Sequence, residues 1–411
     1  MASKSNAAIA SLYSPRARDA PAPINVAPDF PVTVNFDQGL PDPRYFPVEA
    51  IKRHIIATLE EDGVDALRYF GAGGASEMQY GYVGLREELA QWMARRDGRN
   101  VGSDGVALVN GSTDGLALAV RAFLGPGDGA IVESATYPHT KNFMHATGAT
   151  VRTVPLDEEG MNVDALTGQL EALRADGLRP KMIYTIPTFH APTGTVLPLR
   201  RREQLVAIAQ QWQVMVLEDN CYYEFDYDED PPPTLLALDD SGFVLQSDSF
   251  SKYVAPGLRM AWLAGDPTAI EAIIRVRQDF AVSQLIARSL ERYIAQGDLD
   301  THLVELKSHY RRKRDITTKA LHAYCEPWVR FREPSGGFYF WLEISERVDW
   351  DVARRLLAEK GVAFRPGDRF VDDEHGPKFV RISCIQVPED DIEQGIAALG
   401  EALAAAVGES S

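Results

Sequence analysis

From about residue 100 the sequence alternates between short apolar runs and helix-length amphipathic stretches, such as 113–124 and 199–212. The apolar runs are continuous, and they read GVALVNG, GAIVES, KMIYTIP, VMVLED, GFVLQS and RMAWLAG. Strands that are buried on both faces are apolar throughout, and parallel strands need helical crossovers to join them. The alternation therefore predicts an α/β fold, in which helices cover both faces of a mostly parallel sheet.

A second, smaller unit follows this region. A long helical stretch from residue 267 to about 323 leads away from the predicted sheet. The remainder contains GGFYFWLEI and FVRISCI and closes in an Ala-rich helix, which is typical of a smaller α+β domain. We divide the chain into an N-terminal arm, the N-terminal part of the small domain, a large domain and the C-terminal small domain, at residues 1–34, 35–70, 71–300 and 301–411.

Charge and cysteine content argue against several kinds of partner. The 411 residues include 42 Lys and Arg against 59 Asp and Glu, which gives a net charge of −17. Because nucleic-acid binding depends on clustered Lys and Arg, we expect no nucleic-acid partner. Cys221, Cys325 and Cys384 lie far apart without metal-ligand spacing, which indicates a reducing compartment and no metal site. No apolar run is long enough to cross a membrane, so we expect a cytoplasmic protein without a membrane partner.

The first residues carry no acid until Asp19 and are rich in Ala, Ser and Arg. This composition weakly resembles an organelle targeting peptide, but the segment is poorly amphipathic. We expect instead a flexible arm, or an arm that clasps a dimer.

The stretch SDSFSKYVAPGLRMAW, residues 247–262, sets a lone lysine among small hydroxyl residues. Ser249, Ser251 and Arg259 can together hold a phosphate, because the guanidinium fork matches phosphate oxygens. That leaves Lys252 to react with an aldehyde, since a buried lysine loses its proton more easily and becomes a nucleophile. We interpret the stretch as a Schiff-base lysine beside a phosphate clamp.

Two other strand ends carry polar residues. VLEDNCYYEF closes a predicted strand with Asp219, and Tyr222 follows. A carboxylate at the carboxyl end of a parallel strand lies where α/β ligands bind, although it can also cap a turn. In NGSTDGLALAV, Ser112 and Thr113 begin a helix, where exposed amides suit a phosphate or where the hydroxyls simply cap the helix.

KFVRISCI places Arg381 inside an otherwise apolar strand. A buried guanidinium without a partner is costly, so Arg381 must meet either an anionic ligand or a fixed acid.

As a set, these motifs resemble the fold-type I pyridoxal-phosphate (PLP) aminotransferases of class I/II. The nearest likeness is to the 2-aminoadipate and kynurenine aminotransferases and to the aminotransferase-like domain of MocR-type regulators. The resemblance runs from about residue 35 to the C-terminus, over YGYVGLREELA, NGSTDGLALA, VESATYP, PTG, LEDNCYYEF, SFSKYVAPGLR, PSGGFYFWLE and VRISC. It implies a seven-stranded large-domain sheet, PLP as cofactor and transfer of an amino group from an L-amino acid to a 2-oxo acid.

The resemblance also implies roles for the residues around the cofactor. Lys252 would carry PLP covalently and then shuttle a proton, Asp219 would pair with the pyridine nitrogen, and Tyr222 would contact the phenolic oxygen. Tyr137 would stack on the ring. The phosphate would be held by Ser112, Thr113, Ser249, Ser251 and Arg259.

The resemblance also implies that three further residues contact the substrate or the partner subunit. Arg381 would bind the substrate α-carboxylate, and Gly39 would line the substrate pocket, where backbone must approach closely. Tyr80 matches a tyrosine that reaches the phosphate of the neighbouring subunit, which implies a homodimer.

The sequence departs from the family pattern immediately before PTG. The family commonly reads QNPTG, and its asparagine donates a hydrogen bond to the phenolic oxygen; here His190 and Ala191 stand at those two positions. Alanine cannot donate that bond. The departure leaves open non-transaminating PLP chemistry, namely elimination, cyclisation, decarboxylation or oxidation of an amino acid, including an arginine-derived one. His190 is either an extra acid or base in the substrate pocket or a side chain that fills the space of glutamine.

Two more alternatives stay open. Asp37 and Glu77, near the expected pocket, either favour a basic substrate side chain or are solvated or paired. A non-catalytic PLP-binding regulatory module is a remote alternative. It would need a DNA-binding domain, for which the segment before Asn35 is too short, and the chain is acidic.

Overall fold

The structure of the protein, a computed structural model, describes residues 9–18, 28–69, 74–280, 282–371 and 378–407. Parts of the predicted arm, 1–8 and 19–27, and the proposed boundary at 70–71 lie outside the described residues. The strands are β1 (Val34–Asn35), β2 (Val106–Val109), β3 (Asp128–Glu133), β4 (Thr150–Val154), β5 (Leu156–Asp157), β6 (Gly160–Met161), β7 (Arg179–Thr185), β8 (Met215–Asp219), β9 (Val244–Ser249), β10 (Ala261–Gly265), β11 (Val329–Arg330), β12 (Phe340–Ile344), β13 (Val362–Ala363), β14 (Arg365–Pro366) and β15 (Phe379–Ile382). The α-helices are Pro15–Arg18, Val48–Glu61, Glu77–Tyr80, Val83–Asp97, Ser112–Phe123, Pro138–Ala146, Leu166–Ala175, Leu199–Trp212, Leu235–Leu238, Pro267–Val276, Gln284–Ala295, Asp298–Tyr324, Trp350–Glu359 and Glu389–Ala405.

The large sheet has seven strands in the order β2-β10-β9-β8-β7-β3-β4. All neighbours pair in parallel except β10, which is antiparallel to both β2 and β9. Every residue of β2, β3, β8, β9 and β10 is buried, because helices cover both faces of the sheet. The prediction of a mostly parallel seven-stranded sheet is confirmed.

The helix Ser112–Phe123 shows how the sequence places one end of a helix at the candidate site. It begins three residues after β2 ends at Val109, so its N-terminus lies at the carboxyl end of that strand. Leu116, Ala119 and Val120 are buried at the spacing of one helical face, which packs this helix on the sheet.

The small domain is built on the antiparallel sheet β11-β12-β15-β14. β1 joins it by pairing in parallel with β13, which brings the segment after Asn35 to this part of the molecule. The predicted helical stretch 267–323 is divided into three helices, because the backbone at Gly297 has φ +77° and the Ser283 side chain caps a new helix. No helix within the described ranges has the length and apolarity needed to span a bilayer.

Candidate active site

A cavity of about 420 Å³ lies between the carboxyl ends of the large-sheet strands and the small domain. Ligands of α/β folds bind at such strand ends. Its lining comes from both domains and comprises Pro28, Asp37, Gln38, Gly39, Leu40, Tyr137, Pro138, His139, Ala191, Tyr222, Lys252, Tyr339, Arg365, Arg369, Phe370 and Arg381.

Lys252 lies in the connection between β9 and β10, and its side chain lines this cavity. Its Nζ donates a hydrogen bond to the carbonyl oxygen of Gly39 over 3.0 Å. Glycine is needed there, because a Cβ at residue 39 would lie 2.1 Å from the hydroxyl oxygen of Tyr339. Two residues that the sequence predicted for the site are thus in direct contact.

Gly39→Ala is expected to lower the free energy of unfolding by about 1–3 kcal/mol, because the new methyl group must displace the buried Tyr339 ring. Tyr339 shares a hydrogen bond with Tyr222 (O–O distance 2.7 Å), so activity should fall as well. Urea denaturation measures the loss of stability. Gly168→Ala is the matched control, since its Cβ meets no atom within 4 Å. Equal losses in both variants would contradict the steric explanation.

Asp219 ends β8 and is 5% exposed. Its Oδ2 accepts a hydrogen bond from the Tyr184 hydroxyl over 2.9 Å, whereas Oδ1 is buried without a hydrogen-bond partner in the described part of the chain. Burial raises the pKa of Asp219, and the interactions with Tyr184 and Cys221 and the Lys252 charge oppose that rise. A protonated ring nitrogen supplies the donor and the positive charge that Oδ1 lacks, so Asp219 fits the pyridine nitrogen of PLP.

Another buried carboxylate, Asp248, precedes Ser249 at the end of β9 and lies 3.5 Å from Arg96. Burial raises the pKa of Asp248 to about 8; the Glu224 charge adds to this rise and the Arg96 charge opposes it. The folded chain therefore keeps a proton on Asp248 that the unfolded chain loses above about pH 4.

This retained proton predicts that stability falls as the pH rises toward 8. Between about pH 4 and 8 the unfolded chain binds fewer protons at Asp248 than the folded chain, so the free energy of unfolding decreases with pH. We expect Asp248→Asn to remove this part of the decrease, measured by urea unfolding at about pH 6 and about pH 8.5. Asp240→Asn, at a fully exposed side chain, should keep the wild-type pH dependence. An unchanged decrease in Asp248→Asn would disprove the assignment.

Arg259 connects the two segments predicted to hold a phosphate. Its Nη2 donates a hydrogen bond to the carbonyl oxygen of Asn110 over 2.9 Å, just before the helix that begins at Ser112. Gly111 permits this approach, because its φ is +92° and a Cβ there would lie 2.1 Å from Arg259 Nη2. The guanidinium and the amides of the helix N-terminus together suit a phosphate.

The remaining predicted cofactor residues lie around this turn. Ser249 Oγ donates to Ser251 Oγ over 2.9 Å and accepts a bond from the Ser251 backbone amide over 3.1 Å. Thr113 forms a hydrogen bond with Tyr137, which lines the cavity. Burial raises the pKa of Tyr137 to about 12, although this hydrogen bond opposes the rise. Burial and the neighbouring Tyr339 also raise the pKa of Tyr222, so both phenols are neutral at pH 7.

Arg381 lies in β15 and is 8% exposed. Its guanidinium carbon lies 4.5 Å from the ring centroid of Tyr339 and 5.0 Å from that of Phe370, and Nη2 donates to the carbonyl oxygen of Asp37. Burial lowers the pKa of Arg381, and its Nε has no hydrogen-bond partner in the described ranges. Aromatic faces and a carbonyl hold this cation, which favours an anionic ligand over a structural salt bridge.

The two acids near the expected pocket are both engaged by the protein. Asp37 is buried, and its side chain forms an ion pair with Arg365 (Nη2–Oδ2 distance 3.0 Å). Glu77 is buried and lies outside the cavity lining, and its Oε1 accepts a hydrogen bond from the backbone amide of Val83 over 3.5 Å. Of the two alternatives for these acids, the structure supports pairing.

His190 is buried, and both of its ring nitrogens face protein atoms. Nδ1 lies 2.8 Å from Thr193 Oγ1, and Nε2 lies 3.1 Å from Oε2 of Glu133. The other carboxylate oxygen of Glu133, Oε1, accepts a hydrogen bond from the Thr185 hydroxyl. Ala191 lines the cavity, but His190 does not. Among the described residues His190 bonds to Glu133 and Thr193 and does not line the cavity, and its expected substrate contact stays a prediction.

Tyr80 ends the helix Glu77–Tyr80 and lies outside the cavity of its own chain. The guanidinium carbon of Arg86 is 5.4 Å from its ring centroid, and Tyr80 lines a separate surface pocket with Pro267. Its contact with a partner subunit stays a prediction.

Sequence reasoning missed His139, Tyr339, Arg365, Arg369 and Phe370, all of which line the cavity. A signal existed for Arg365, because the stretch FRPGDRF sets an arginine directly after an apolar run. In the structure Arg365 pairs with Arg381 across β14 and β15.

Comparison with known proteins agrees with this site. The family "Aminotransferase class I and II" matches residues 42–399. The chain is 34% identical to aromatic-amino-acid aminotransferase 1 of Thermococcus litoralis, over 89% of this chain and 86% of that protein. It is 29% identical to 2-aminoadipate transaminase of Thermus thermophilus, over 91% of this chain and 90% of that protein. The structure of Pyrococcus horikoshii kynurenine aminotransferase, solved in complex with PMP, matches with a TM-score of 0.89 and 29% identity over 98% of this chain and 99% of that chain.

These matches confirm the resemblance found in the sequence, including its cofactor. The buried Asp219 oxygen, the cradle at Arg259 and the cavity lysine are the features into which that cofactor fits. The chain thus belongs to the class I and II aminotransferases and is a PLP-dependent enzyme of that family.

Proposed function

We propose that the cavity binds an L-amino acid at Arg381 and transfers its amino group, by way of PLP held at Lys252, to a 2-oxo acid. The observation that carries this proposal is that Lys252 and Arg381 line one cavity and that both are free of a carboxylate ion-pair partner in the described residues. A reactive amine and a carboxylate-binding guanidinium are the two groups that an α-amino acid requires.

In this proposal PLP, when bound, supplies an electron sink for the negative charge that develops at the substrate α carbon. Lys252 Nζ accepts the proton from that carbon and returns it later in the cycle. Asp219 would hold the ring nitrogen of PLP in its protonated form, and Tyr222 would donate a hydrogen bond to the phenolic oxygen. Arg381 orients the α-carboxylate by its fork.

We also propose a homodimer in which Tyr80 of each chain reaches the partner's phosphate site. An exposed apolar cluster supports an interface, and it comprises Val64, Leu67, Tyr69 and Phe280. The rings of Tyr69 and Phe280 pack with centroids 5.4 Å apart, so these two exposed side chains share one surface. Sedimentation equilibrium tests the dimer.

We place the protein in the cytoplasm, since Cys221, Cys325 and Cys384 are buried free thiols.

A single-turnover experiment tests the proposed reaction. The PLP-loaded protein is mixed with each of a panel of L-amino acids without any 2-oxo acid. We expect the absorbance band of lysine-bound PLP to disappear and one equivalent of 2-oxo acid per site to form. Addition of a 2-oxo acid should restore the band. Continued product formation without an acceptor would overturn transamination.

A second candidate, non-transaminating chemistry, rests on Ala191, which lines the cavity where the family pattern has asparagine. The same experiment separates the two, because turnover without an acceptor is its signature. In that outcome Ala191→Asn is the first variant to examine, for a return to one equivalent of 2-oxo acid per site.

A further inference from the structure

The side chain of Tyr184 reaches Asp219 from within the large domain. β7 and β8 pair in parallel, with Tyr184 beside Leu217. Paired residues of neighbouring strands point to the same face of a sheet, as do residues two positions apart on one strand, so Tyr184 and Asp219 share a face. Tyr184 is buried and is not among the residues that line the cavity. A role of Tyr184 in the site must therefore pass through Asp219.

The contact with Tyr184 distinguishes the two oxygens of the Asp219 carboxylate. Oδ2 accepts a hydrogen bond from the Tyr184 hydroxyl over 2.9 Å, whereas Oδ1 is buried without a hydrogen-bond partner in the described ranges. An ionised carboxylate only accepts hydrogen bonds and a phenol has one proton to donate, so the direction of this bond is set. Rotation of the carboxylate would break the bond. Tyr184 thus fixes which oxygen of Asp219 is left for a ligand.

The same contact favours the ionised form of Asp219. Burial raises the pKa of Asp219, and the Tyr184 hydrogen bond is the largest of the interactions that oppose the rise, ahead of those with Cys221 and of the Lys252 charge. Burial and the Asp219 charge raise the pKa of Tyr184 well above its usual range, so its hydroxyl stays a donor at pH 7. A hydrogen bond to the charged form of an acid favours that form, and a nearby anion favours a protonated nitrogen.

We propose that Tyr184 is a positioning residue for the cofactor: it holds the Asp219 carboxylate by Oδ2 and so leaves Oδ1 for the ring nitrogen of PLP. Tyr184 itself touches neither the ring nor the substrate in this proposal. Its role rests on the cofactor and not on the reaction, so it applies to transamination and to the non-transaminating alternative alike.

The protonation of the ring nitrogen tests this role directly. PLP that carries an isotope label at that nitrogen is bound to the wild type and to Tyr184→Phe, and its nitrogen resonance is recorded by NMR. We expect a protonated nitrogen in the wild type and, in Tyr184→Phe, a resonance shifted toward that of the unprotonated ring. The kcat should fall by about 10- to 100-fold while KM changes by less than about 3-fold. An unchanged resonance would overturn the proposal.

Tyr227→Phe is the matched control. Its hydroxyl also donates a buried hydrogen bond, to the carbonyl oxygen of Gly337 over 2.6 Å, but Tyr227 does not line the cavity. Phenylalanine keeps the ring in both variants and leaves no large cavity, and urea unfolding checks that both fold. We expect Tyr227→Phe to keep the wild-type resonance and kcat. A resonance that shifts equally in both variants would mean that any lost core hydroxyl disturbs the site, and would also overturn the proposal.

A double-mutant cycle separates positioning from general support of the fold. If Tyr184 acts through Asp219, then Tyr184→Phe in an Asp219→Asn background should leave the resonance in place and lower kcat by less than about 3-fold. A full additional loss would show that Tyr184 acts independently of Asp219. The resonance requires bound PLP alone, so if no amino acid is transaminated the proposed function fails, while the role of Tyr184 is still decided.

Discussion

Lys252→Ala is expected to lower kcat by about 10⁴-fold or more and to leave the protein without covalently held PLP. No other lysine lines the described walls of the cavity, so no second amine can replace it there. The fold should survive, because the hydrogen bond that Lys252 donates to the Gly39 carbonyl contributes about 0.5–1.5 kcal/mol. The measurement is the absorbance spectrum of the protein after removal of free PLP, together with the initial rate.

Two controls accompany this variant. Lys252→Arg keeps the positive charge but cannot form the covalent bond, so it should lose activity as completely as alanine. Lys307→Ala removes a lysine that pairs with Asp226 outside the cavity and should leave the spectrum and the rate unchanged. An active Lys252→Ala variant would show that the reacting amine lies elsewhere.

Arg381→Leu is expected to lower kcat/KM for amino acids by about 10²- to 10⁴-fold. Breaking a buried charge pair costs about 3–5 kcal/mol, and each 1.36 kcal/mol corresponds to a tenfold change in rate. Arg381→Lys keeps the charge without the bidentate fork, so its loss should be intermediate. Steady-state kinetics measures both, with Arg330→Leu, at an exposed residue of the same sheet, as the control.

A substrate without a carboxylate shows which group Arg381 serves. A primary amine that lacks the α-carboxylate should react slowly with the wild type, and Arg381→Leu should not slow it further. A similar loss for the amine and for the amino acid would mean that Arg381 supports the cavity walls through Tyr339 and Phe370 rather than binding the carboxylate.

Much of the large domain could be predicted from the sequence, because its signals are local. The run that ends in Asp219 is apolar because both faces of β8 are covered, and all its residues are buried. The Ser, Lys and Arg residues of 247–262 lie within one hairpin, so their spacing along the chain already sets their proximity. Gly297 is a local signal as well, yet the overall apolar pattern of 267–323 concealed the break that it introduces.

Only the tertiary structure decided which side chains, remote from each other in sequence, became partners. Asp37 and Arg365 are 328 positions apart. Their ion pair neutralises Asp37, which from the sequence was a candidate contact for a basic substrate side chain. Glu133 and His190 are 57 positions apart, and their contact gives a candidate catalytic histidine a buried carboxylate partner. Hydrophobic periodicity and capping act within a few residues, whereas the pairing of buried charges depends on which strands and loops packing brings together.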